Sequence, residues 1–282
     1  MKFSKPLDCV NSSIQKVILL LTITFTLFAC KKSGSDEDPK PQPEPEQIAS
    51  AIDYYDLQNY YVVQVLKPKS SVASTKGTHP LLVINLLEKQ NGGQYSSLYY
   101  YYSASGGETL NPNDKYDSKT GITKLKVAMA NLNLSRDKNQ EIIIKDYTAV
   151  NNSSSFKDYD LDYIQLVKLN NINYGNNTYF KSVNGDSHYG FYADYKQWIY
   201  NANAKPSYNN LSSSTWTFTQ HSKHLWYGQD NGSQKLRNSF LIIPKGNGWK
   251  GEHKDKELLL INTLETSSLK AIGPLGLYHL IN

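Results

Sequence analysis

The chain has 282 residues, 39% hydrophobic and 20% charged, with a formal net charge of +5, a composition that excludes collagen-like, coiled-coil and multi-span membrane architectures. Nearly all the positive charge is lysine, Arg136 and Arg237 being the only arginines, and this scarcity of planar, bidentate guanidinium groups argues against nucleic acid as a partner. Both cysteines, Cys9 and Cys30, precede residue 31, so the rest of the chain can form no disulfide, thiolate metal site or cysteine nucleophile.

Lys2, Lys5 and Lys16 lead into an apolar run of 13 residues, Val17 to Ala29. At 1.5 Å per helical residue the run is too short to span a bilayer, but it suits the apolar region of a secretory signal peptide. It ends Leu27-Phe28-Ala29-Cys30, which resembles the lipobox of bacterial lipoproteins in Leu27, Ala29 and Cys30 and departs from it at Phe28. The resemblance implies that residues 1–29 are a signal peptide and that Cys30 is acylated to become the membrane anchor; the plain alternative is a short membrane anchor with an incidental cysteine. Ser35-Asp36-Glu37-Asp38 resembles the Ser-then-acidic export signal of Bacteroidota surface lipoproteins. That implies an outer-membrane address facing the cell exterior, the alternative being an acidic stretch within a tether.

Residues 30–50 read as that tether. Pro39, Pro41, Pro43 and Pro45 alternate with Lys40, Gln42 and Glu44, a pattern that favours extended polyproline II, and about 20 such residues at ~3.1 Å each reach up to ~60 Å.

Residues 51–282 form the folded part, expected to be a single all-β domain. From Tyr54 the apolar residues come in short runs broken by Gly, Asn, Ser and Pro, without helical periodicity. In chain order the expected strands are Tyr60–Leu66, Leu81–Leu87, Tyr95–Tyr102, Gly121–Ala130, Glu141–Tyr147 and Tyr163–Leu169. Thr178–Val183, Tyr189–Tyr195, Thr215–His221, Phe240–Ile243, Glu257–Thr263 and Leu275–Leu280 follow. Asn91-Gly92-Gly93 predicts a hairpin turn, since Asn-Gly tolerates positive φ, and Asp230-Asn231-Gly232 predicts another. About a dozen short antiparallel strands point to a sandwich or a barrel.

No nucleophile elbow, zinc-protease or phosphate-loop motif is present in the sequence, so an enzyme is not nominated and no cofactor is implied. All four tryptophans, Trp198, Trp216, Trp226 and Trp249, fall between residues 198 and 249. Flat indoles at a surface stack on sugar faces, which makes Trp198, Trp226, Tyr227 and Trp249 the candidate ligand-binding residues; packing in a β core is the alternative, and Trp216 with Phe218 fits it best. His221 and His224 are the only close histidine pair, a candidate metal or haem site if a turn at Ser222 brings them together. Asp158, Asp160 and Asp162 alternate along one edge, as in a nonstandard calcium loop or a solvated acidic strand. Such a chain is expected to bind a glycan or other small molecule outside the cell, the rivals being a carbohydrate-active hydrolase, a haem- or metal-capturing lipoprotein and a structural partner.

Overall fold

The computed structural model describes residues 48–282 except 90–94, 100–108, 111–115, 169–173, 176, 193–196, 208–215, 221–223, 231–234, 248, 250 and 282. The lipobox, Cys30, the export signal and the tether up to residue 47 lie outside the described residues, as do the turn at Asn91–Gly93 and His221.

The fold is all-β. Three antiparallel sheets account for the described strands. The first joins β1 (Tyr60–Pro68), β2 (Leu81–Lys89), β3 (Tyr95–Tyr99), β4 (Thr109–Leu110) and β9 (Tyr159–Lys168) in the order β4-β3-β2-β1-β9. The second runs in sequence order through β5 (Tyr116–Asp117), β6 (Ile122–Val127), β7 (Ala130–Arg136) and β8 (Ile142–Ala149). The third contains β10 (Thr178–Ser182), β11 (His188–Tyr192), β12 (Gln197–Asn201), β13 (Trp216–Gln220), β14 (Leu225–Asp230), β15 (Leu236–Ile243), β16 (Leu258–Glu265), β17 (Lys270–Ala271) and β18 (Gly276–Ile281). Its path is β12-β11-β10-β18-β16-β15-β14-β13, with β17 added beside β16.

The first sheet is the middle layer, and β1 shows why. Side chains alternate along a strand: Tyr60 and Val62 pack with Leu125, Val127, Leu132 and Leu134 of the second sheet, while Tyr61, Val63 and Val65 pack with Leu225, Leu241, Leu258 and Leu260 of the third. A strand covered on both faces needs a continuous apolar run rather than alternation. Gln64 interrupts that run while fully buried, and it is satisfied on both sides. Its amide donates to Asn85 Oδ1 on β2, and its Oε1 accepts the Met129 N–H at 2.9 Å.

The third sheet curls. Trp198 on β12 and Trp226 on β14 are six strands apart in the sheet order, about 29 Å in a flat sheet at ~4.8 Å per strand, yet their rings lie 5.4 Å apart. The curl closes over an aromatic core of Phe180, Phe191, Trp198, Trp226 and Phe240, with Trp198 stacked on Phe240 at 5.3 Å.

The expected strand Gly121–Ala130 is two strands, β6 and β7, joined through Ala128 and Met129. Strands β12 and β14 form where the sequence reading has no strand. The chain joins the fold by Ala49, whose carbonyl accepts the Tyr116 hydroxyl at 2.7 Å. Gly121, at φ +67, sits so close that a Cβ there would stand 2.8 Å from the Ala49 nitrogen. Gly121→Ala is therefore expected to destabilise the domain by about 1–2 kcal/mol, from the left-handed backbone together with the clash. A thermal melt unchanged from wild type would contradict this packing.

Candidate functional site

At one rim of the middle layer β1 ends at Pro68, and the chain passes through a 3-10 turn (Ser70–Val72) and one turn of helix, α1 (Ala73–Lys76), before β2. Lys76 pins this crossover by donating Nζ to the Ser268 carbonyl and by lying 3.8 Å from Asp158. Gly77 at φ +71 ends the helical turn, a left-handed position that favours glycine. Beneath the crossover, between the first and third sheets, lies a cavity of about 460 Å³. Its walls are Val65, Pro68, Ala73, Pro80, Trp249, Leu275 and Leu277; Ser70, Thr78, Lys67 and Asp162 supply its polar groups.

A β-bulge sets the charged side. The β1–β9 register shifts between Val65, opposite Tyr163, and Leu66, opposite Leu161, so Asp162 is the extra residue. Bulges re-aim side chains, and Asp162 meets Lys67 at 2.7 Å, with the Lys67 side chain 64% exposed. A pair this open to water contributes only ~0–1 kcal/mol and can exchange partners with an incoming ion. Behind it Tyr163 meets Trp249 edge-on at 5.0 Å and donates its hydroxyl to Gln165 at 2.8 Å; burial raises the Tyr163 pKa, which keeps the phenol neutral.

The structure corrects the expectation of exposed indoles. Trp198 and Trp226 are buried in the curled third sheet, because the alternation of β12 and β14 turns both inward. Trp249 is also buried, in the core between the first and third sheets, but it lines the cavity and is the one candidate tryptophan of the three placed there. Tyr227 is half-buried on the opposite face of β14 from Trp226, with the Arg237 guanidinium 5.7 Å over its ring. Of Trp216, only the strand that carries it is described.

His224 is buried, edge-on to Tyr174 at 5.9 Å. Asp158, Asp160 and Asp162 do not converge: they face Lys76, Lys69 and Lys67 respectively, and the described residues contain no cluster of three metal-ligating side chains. Two histidines without local spacing do meet. His253 Nδ1 stands 3.1 Å from His279 Nε2; burial, followed by the charges of His253 and Lys256, holds His279 below the usual imidazole range.

A second concavity of about 630 Å³ lies against the second sheet, lined by Tyr116, Asp117, Lys124, Lys126, Asn131, Asn133 and Thr148 together with Leu125 and Leu132. Lys124 and Lys126 alternate with inward-facing Leu125 and Val127 on β6, and Asn133 donates to Asp146 at 2.6 Å.

The chain matches no family model, and searches of curated proteins and of solved structures find no similar protein.

Proposed function

We propose that this is a lipid-anchored binding protein of the outer membrane that holds a small amphipathic molecule in the cavity under the β1–β2 crossover. The observation that carries the reading is the chemistry of that cavity. Its walls are mostly apolar and include an indole, while Lys67 and Asp162, its only charged lining residues among the described residues, stand together on one side. Mostly apolar pockets with a few fixed polar groups are the usual form of small-molecule sites. An apolar body would displace water from Trp249, Leu275 and Leu277, and an anionic head would take Lys67 from Asp162. The anchor part of the reading rests on the lipobox-like Leu27-Phe28-Ala29-Cys30 and on the proline-rich tether that follows. Among the described residues no helix is long and apolar enough to cross a membrane.

A medium-chain carboxylate tests the pocket. Decanoate is expected to raise the melting temperature of the wild type and to leave that of Ala73→Trp, which fills the cavity, unchanged. An equal shift in both proteins, or in neither, would contradict the assignment.

One observation favours a second reading, the glycan binding expected from the sequence. Lys124, Asn131, Asn133 and Thr148 form an open polar face on the second sheet, whose amides and hydroxyl could bond to sugar hydroxyls. Oligosaccharide binding lost in Asn131→Ala but retained in Ala73→Trp would place the ligand there.

A further inference from the structure

His253 and His279 lie 26 positions apart in sequence, yet the fold sets their rings against each other. His279 is fixed in β18, which is paired on one side with β10 and on the other with β16, so that Lys181 and Leu258 are its lateral neighbours. His253 closes a 3-10 turn, Gly251–His253, that begins on Gly251 at φ +59. The Lys256 N–H donates to the His253 carbonyl at 3.1 Å and closes the following turn. The loop thus lays one imidazole over the other, with ring centroids 5.2 Å apart.

Two ring nitrogens at 3.1 Å can share a proton or share a cation. Nitrogens bound to one ion at 2.0–2.1 Å stand about 2.9 Å apart at a right angle and about 3.4 Å apart at the tetrahedral angle. The observed separation falls between these, so the spacing of the two nitrogens is that of two donors on one ion, reached once the rings swing from pointing at each other to pointing at the ion. Beyond the facing nitrogens, the other nitrogen of His253, Nε2, stands 3.9 Å from Oε1 of the Glu252 carboxylate, beyond hydrogen-bond reach but near enough for the negative charge to favour a bound cation. The surrounding charge is mixed. Lys181 is paired with Asp186 at 3.0 Å, and Lys256 and Glu252 act on His279 with opposite signs.

We propose that His253 and His279 form a two-imidazole site for a late divalent transition-metal ion, Cu²⁺ ahead of Ni²⁺ and Zn²⁺. Imidazole suits all three ions, and affinity at a site of neutral nitrogen donors follows that order at copper. The remaining coordination positions are left to water or a small ligand. On β18 the site lies one alternation beyond Leu277 and shares no lining residue with the cavity, so it stands or falls separately from the proposed binding function.

The test uses the full chain carrying Cys9→Ser and Cys30→Ser, which removes competing thiols, purified without a polyhistidine tag. Calorimetric titration with each metal salt is expected to show one Cu²⁺ bound per chain, more tightly than Ni²⁺ or Zn²⁺. Either His253→Ala or His279→Ala should weaken copper binding by about tenfold or more, because a single imidazole then replaces a chelating pair; His79→Ala should leave it unchanged. Electron paramagnetic resonance of the copper-loaded parent should show coupling to two imidazole nitrogens, a readout that holds even if an alanine variant fails to fold. Copper bound as tightly by folded single variants as by the parent, or a parent spectrum with fewer than two imidazole nitrogens, would overturn the site and leave a histidine–histidine hydrogen bond.

Discussion

Trp226→Ala is expected to lower the melting temperature by roughly 10 °C or more, because truncating a buried tryptophan costs about 3–5 kcal/mol. That is a large part of the ~5–15 kcal/mol that stabilises a domain. Trp226 is 1% exposed and lies within 5.0 Å of Phe191 and 5.4 Å of Trp198, ring to ring; removing it takes the wall from the aromatic core that the curl of the third sheet encloses. Trp226→Phe should cost much less. Among the described residues the indole Nε1 has no hydrogen-bond partner, so phenylalanine gives up area and no polar contact. Thermal melts followed by near-ultraviolet circular dichroism measure both. An alanine variant that melts within a few degrees of wild type would mean that the curl is not held by this cluster.

The second large effect is on location. Cys30→Ala is expected to abolish incorporation of labelled fatty acid and to move the protein from the membrane to the soluble fraction. Only a thiol at that position can accept the lipid, and stable anchoring needs more than one acyl chain's worth of buried CH₂ groups. The domain should stay folded in the variant, since the described fold, which starts at residue 48, contains no cysteine. Undiminished labelling and membrane fractionation in the variant would remove the anchor from the account.

What could be read from the sequence follows local chemistry closely. β1 and β2 are apolar runs bounded by polar or proline-containing segments, and both form where expected. The β6–β7 turn was invisible because its signals are tertiary. Ala128 and Met129 are apolar and buried, and their backbone groups are satisfied from outside the hairpin: Gln64 accepts the Met129 N–H, and the Asn152 N–H donates to the Ala128 carbonyl. No glycine, asparagine or proline is needed there, and none marks the turn. The expected strands also leave out Leu225–Asp230, although the segment is a strand between β13 and β15; Asn231 and Gly232 of the turn expected after it lie outside the described residues. Composition singled out Trp249, but only the bulge at Asp162 and the crossover after Pro68 turn its surroundings into a cavity, and neither has a sequence mark. The His253–His279 contact depends on the pairing of β18 with β16 and was equally out of reach.

The cavity is tested most directly by the indole N–H signals of the ¹⁵N-labelled protein during a titration with decanoate, with the Trp249 signal assigned from Trp249→Phe. A ligand seated under the β1–β2 crossover touches Trp249 and not the aromatic core of the third sheet. The Trp249 signal is therefore expected to shift progressively to saturation while those of Trp198 and Trp226 stay in place. A Trp249 signal that does not move, or shifts confined to Trp198 and Trp226, would contradict the assignment of the ligand site.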